Sequence, residues 1–84
     1  MKFTSNIGKE ELLSVYSQAL VDAEKKVIVA LLGLGVNPDS FEPGDVDSIE
    51  ASLLENDVEG RDRIEVLRKL LSLIDVVNGK IEAL

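Results

Sequence analysis

The stretch Val46-Asp47-Ser48-Ile49-Glu50-Ala51-Ser52-Leu53-Leu54-Glu55-Asn56-Asp57-Val58-Glu59-Gly60 decides the fold of this 84-residue chain. On a heptad count Val46, Ile49, Leu53, Leu67, Leu70, Ile74, Val77, Ile81 and Leu84 keep one register, as one helix over 46–83 would require. Asn56, Gly60 and Arg63 fall on the same seam and weaken its middle. Asn56-Asp57-Val58-Glu59 has the form of a capping box, and glycine in a helix interior costs about 1 kcal/mol relative to alanine. The reading is therefore a break at 56–60, between a short helix 46–55 and a last helix 58–83. Asp47-Ser48-Ile49-Glu50 reads as another capping box, starting the short helix near Asp47.

Upstream, Leu12, Leu13, Tyr16, Ala19, Leu20, Ala23, Val27, Ala30, Leu31 and Leu34 recur every three or four residues, the spacing of one helix face. Ser5 or Asn6 is placed to cap a helix over about 8–33, Gly33 or Gly35 to end it, and Pro38 to stop any continuation. This helix and the last one each span about 39 Å, whereas an unbroken helix over 46–83 would reach about 57 Å. Matched lengths favour an antiparallel hairpin. The last helix is expected to bury Ile64, Leu67, Leu70, Leu71, Ile74, the pair Val76 and Val77, and Ile81, and to leave Arg61, Asp62, Glu65, Arg68, Lys69 and Asp75 to water. The expected fold class is all-α: two long helices joined by a short acidic connecting helix in one domain, 1–84. The run Val27 to Leu32 is apolar all round, which one monomer face does not need. Association of copies is expected to complete the bundle through Val27, Ile28, Leu31, Leu32, Leu70, Ile74 and Val77.

The charge is concentrated in the middle of the chain. Of a net charge of −7, residues 37–60 contribute eight carboxylates and no Lys or Arg, while the flanking segments are nearly neutral. Electrostatic complementarity then points to a protein with a basic surface, with Asp45, Glu50, Glu55 and Glu59 as its contacts. An acidic inhibitor that mimics nucleic acid would carry the same charge pattern. Binding to nucleic acid itself needs clustered cations, which this chain lacks. Cys and His are both absent, removing thiolate and imidazole chemistry and the usual transition-metal ligands. No catalytic residue, metal ligand or cofactor is expected. The longest apolar run, Val27 to Val36, is about half of a bilayer crossing, and the amino terminus lacks an apolar signal core. A soluble, cytoplasmic, non-enzymatic protein is the expectation.

Three further motifs bear on chemistry. Asp47-Ser48-Ile49 at a helix start, preceded by Leu34-Gly35-Val36-Asn37-Pro38 and Ser40-Phe41, resembles the acyl and peptidyl carrier proteins over about residues 34–55. That resemblance implies phosphopantetheine carried on Ser48, with Glu50 and Glu55 on a docking helix. Ile49 stands where the family has leucine, and the same letters read more simply as a helix cap, with Asp47 and Glu50 as the box and Ser48 in the first turn. Asp39, Gly44, Asp47 and Glu50 sit at positions 1, 6, 9 and 12 of a calcium-loop spacing, but Phe41 and Pro43 take positions 3 and 5, where oxygen ligands belong. Gly33-Leu34-Gly35 follows a helix and precedes a proline, so it reads as a helix stop, not a phosphate cradle.

Overall fold

The computed structural model describes residues 8–84. Among them the architecture is all-helical: α1 (Lys9–Gly33), turns of 3-10 helix at Pro38–Ser40 and Pro43–Asp45, α2 (Val46–Ala51) and α3 (Val58–Glu82). The expected caps at Ser5 and Asn6 lie outside the described residues. Gly8 occupies the N-cap position of α1, with Glu10 and Glu11 in the first turn at the positive end of the dipole. At the other end Gly35, with φ +76°, adopts the left-handed conformation. Its N–H donates to Leu32 O at 3.1 Å, and the Val36 N–H donates to Leu31 O at 2.9 Å. This pair of bonds is the Schellman motif, and it turns Val36 back onto the core beside Leu31.

α1 and α3 pack side by side and antiparallel, with the C-terminal turns of α1 beside the N-terminal turns of α3. Leu31, Ile64 and Leu67 are almost wholly buried at this crossing, with Val27 and Val46 completing the cluster. Each such aliphatic side chain contributes about 1.5–3 kcal/mol of burial. The Arg63 side chain lies across Gly33, where a Cβ would have to displace it. Phe41, Ile49, Leu53, Leu70, Leu71 and Ile74 pack around the cluster, so the connector covers this half of the hairpin. Farther along, α1 and α3 bury Ala23 and Val77, with Tyr16, Leu20 and Ile81 half-buried.

The break lies within residues 52–57, slightly ahead of its expected place. α2 ends at Ala51, not at residue 55, capped by Ser52, whose N–H bonds Ser48 O and Ile49 O and whose hydroxyl donates to Ile49 O. Asp57, not Asn56, caps α3 by accepting from the Gly60 N–H at 2.9 Å. Gly60 is therefore inside the first turn and buried, and it does not break the helix. A Cβ there would approach the Asp57 carboxylate to 2.6 Å and disturb the cap. Replacing Leu67 by Ala, which removes a side chain with 0% exposure, is expected to lower stability by about 3 kcal/mol. Val58→Ala, at an exposed position, should cost under about 0.5 kcal/mol. Urea denaturation followed by circular dichroism measures both.

Candidate functional site

Two surfaces stand out, and the hairpin places them on opposite sides. The first is the acidic connector. Asp47 and Glu50 are three residues apart on α2, so both carboxylates project from one side of the helix. They do not form the expected capping box; they hold Arg68 of α3 instead. One guanidinium nitrogen of Arg68 donates to Asp47 Oδ1 at 2.6 Å and to Glu50 Oε1 at 3.1 Å, and the other donates to Glu50 Oε2 at 3.2 Å. The fork on Glu50 is bidentate, which fixes orientation as well as distance. The Arg68 and Glu50 side chains are about two-fifths exposed and Asp47 is nearly fully exposed. The cluster therefore positions α2 more than it stabilises the fold, at about 0.5–1 kcal/mol.

The other carboxylates of residues 37–60 are mostly engaged as well. Asp45 accepts from the Glu42 N–H at 2.9 Å, the reciprocal side of a capping box around the second 3-10 turn. The box thus sits one turn ahead of its expected place. Asp57 caps α3, and Glu59 lies 3.7 Å from Arg63. Arg61 donates to the carbonyls of Leu54 and Glu55. Among the described residues, Asp39 and Glu55 of the acidic segment have no side-chain hydrogen bond or ion pair. Of the four expected contacts, Asp45, Glu50 and Glu59 thus carry local bonds, and Glu55 is left to solvent in the turn after α2. No group of three or more acidic side chains among the described residues converges on a point that could hold a metal ion.

Ser48 is exposed in the first turn of α2, and its carbonyl accepts from the Ser52 N–H. Because α2 stops at Ala51, Glu50 and Glu55 do not share a helix, unlike the docking helix that a carrier requires. No protein-family model, curated protein or solved structure gives a significant match to this chain.

The second surface is apolar and lies on the side of the hairpin that the connector leaves bare. A groove of about 370 Å³ runs between α1 and α3, lined by Val29, Ala30 and Val66 and by Lys26, Asp62 and Arg63. Val29 is 70% and Val66 49% exposed. Of the seven residues expected to join copies, Val27, Leu31 and Val77 are buried inside the hairpin, and Leu70 and Ile74 are half-buried. Ile28 and Leu32 are exposed on the outer side of α1. The apolar spacing places Val27, Leu31, Ile64, Leu67 and Val77 in the core but does not separate the intramolecular face from the outward one: Val76, expected in the buried stripe, is 55% exposed. Arg68 was missed because its partners lie 18 and 21 residues away and become neighbours only through the fold. The signal available was the pairing of Asp47 with Glu50 on one side of a short helix.

Replacing Arg68 by Ala is expected to lower stability by about 1 kcal/mol and to raise amide exchange across 46–51 more than across α1. Hydrogen exchange by NMR measures this. Uniform exchange across both segments would show that the cluster does not hold α2.

Proposed function

We propose that this chain is a non-enzymatic helical interaction module that presents its acidic connector to a protein with a basic surface and associates with itself through apolar surface. The observation that carries the proposal is the Arg68 cluster. An acidic segment that only served solubility would need no fixed orientation. Here a bidentate guanidinium, two helix caps and a buried Val46 anchor residues 42–60 against the hairpin. A charge pattern held in place loses little conformational entropy on binding, which favours selectivity.

The outward charge that remains defines the contact. Asp39 and Glu55 bear no internal bond, so they can turn wholly to a partner; Glu59 and Asp47, highly exposed and each on a single cation, can share theirs. Such contacts raise association rates and weaken as salt rises. The exposed apolar side chains support the second half of the proposal, because Val29 and Val66 line one groove between α1 and α3, and contiguous apolar surface marks interaction sites.

The test uses a lysine-rich peptide as a basic probe, titrated calorimetrically at low and at physiological ionic strength. Asp39→Lys combined with Glu55→Lys should weaken its binding at least tenfold while leaving the circular dichroism spectrum and the mass in solution unchanged. Unaltered binding by a variant that folds normally rejects the acidic contact.

A further inference from the structure

We propose that the outer face of α3 is the contact between two copies of this chain, paired antiparallel about a two-fold axis near residue 71. The inference rests on the self-association reading above and specifies its surface and register. Asp62, Val66, Lys69, Leu73, Val76 and Lys80 recur at spacings of four and three along α3, and all six are exposed. This is the narrow seam along which helices pair, and with 3.6 residues per turn it lies on the side of α3 opposite Ile64, Leu67 and Leu71.

The seam is symmetric in a way that a hydrophobic stripe alone need not be. An antiparallel two-fold that pairs positions summing to 142 maps every seam position onto another seam position. Val66 meets Val76 of the second copy, Lys69 meets Leu73, and Asp62 meets Lys80, each contact occurring twice. Opposite charges thus close both ends, Val66 and Val76 form the apolar layers inside them, and Lys69 lies over Leu73 in the two central layers. A two-fold interface must be complementary to itself, and this one is. Lys69 fits the seam because its ammonium lies 3.3 Å from Glu65 of its own helix. Its alkyl stem is therefore free to cover Leu73 of the second copy while the charge stays in water.

The seam from Asp62 to Lys80 runs about 27 Å along α3 at 1.5 Å per residue, and the α1 wall of the adjoining groove, where Val29 is 70% exposed, widens it. The groove between α1 and α3 borders the seam at Asp62 and Val66, so the C-terminal half of the second α3 lies along it. The connector is on the opposite side and stays accessible in the pair.

Sedimentation equilibrium of the full chain at micromolar concentration should give twice the monomer mass. Leu73→Lys should give the monomer mass with helical content retained, since Leu73 is 46% exposed and outside the central core. Asp62→Lys and Lys80→Asp should each raise the dissociation constant several-fold, and the double reversal should restore it. For the register, Val66→Cys and Val76→Cys chains are mixed and oxidised, with 66-to-76 disulfides expected. Two residues 66 would stand about 15 Å apart along the axis, too far to bridge. A monomeric wild type overturns self-association altogether, leaving the face to another protein. A dimer that forms mainly 66-to-66 disulfides, or is not restored by the double reversal, overturns this surface and register alone. Species larger than a dimer overturn the closed two-fold.

Discussion

Everything in this domain depends on the packing of Leu31 against Ile64 and Leu67, the three most deeply buried side chains. They sit where α1 ends and α3 begins, so their contact draws together helices separated in sequence by the whole connector. Closing that loop costs entropy, which only apolar burial of this kind can offset in a chain without disulfides. The details nearby serve the same contact. Gly33 lets the Arg63 side chain cross α1, and Gly35 reverses the chain so that Val36 returns to the cluster. Val46 places the start of α2 against the cluster, and Arg68 holds the rest of α2 in position. The acidic segment is thus ordered by an apolar core that contains none of its charges.

The two long helices were legible because their periodicity is local. Leu12 to Leu34 and Ile64 to Ile81 each define a face by spacing alone, and α1 and α3 begin and end within one or two residues of expectation. Around the connector, several caps compete for the same letters. A polar residue three positions before a carboxylate occurs at Glu42, Asp47 and Asn56, and the spacing pattern does not rank them. The fold chooses by burial. Val46 and Ile49 must face α3, which turns Asp47 and Glu50 towards Arg68 and leaves capping to the pair Glu42 and Asp45. The heptad register reached across the break because the apolar side of α2 and that of α3 face the same cluster.

The candidate contacts were less legible for a related reason. A carboxylate is visible in sequence as a charge, but whether it is bound within the fold depends on neighbours many residues away. The Glu50 carboxylate on α2 meets Arg68, whereas at Glu55, in the turn after α2, Arg61 donates to the backbone carbonyl and leaves the carboxylate to solvent. The apolar residues present the same problem. Val27 and Ile28 are adjacent and similar in hydropathy, yet one is buried and the other 45% exposed. Rotation about the helix axis, set by the antiparallel partner, separates them.

The structure divides the chain's chemistry between two sides of one hairpin. Connector and core occupy one side, where acids are tied to Arg68 and to helix ends. The other side carries Val29, Val66 and the outer seam of α3. The arrangement follows from chain economy. A loop short enough to join two 25-residue helices can cover only the half of one face nearest the turn, so the second face must remain bare or be covered by another molecule. Basic charge falls unevenly as well, because Lys26, Arg63, Lys69 and Lys80 flank the groove and seam while residues 37–60 hold none. A partner attracted to the acidic side and a copy seated on the apolar side would therefore bind without competing. Association on one side would double the number of acidic connectors, and two linked sites bind a repeated basic target more tightly than either alone when the spacing allows both to engage.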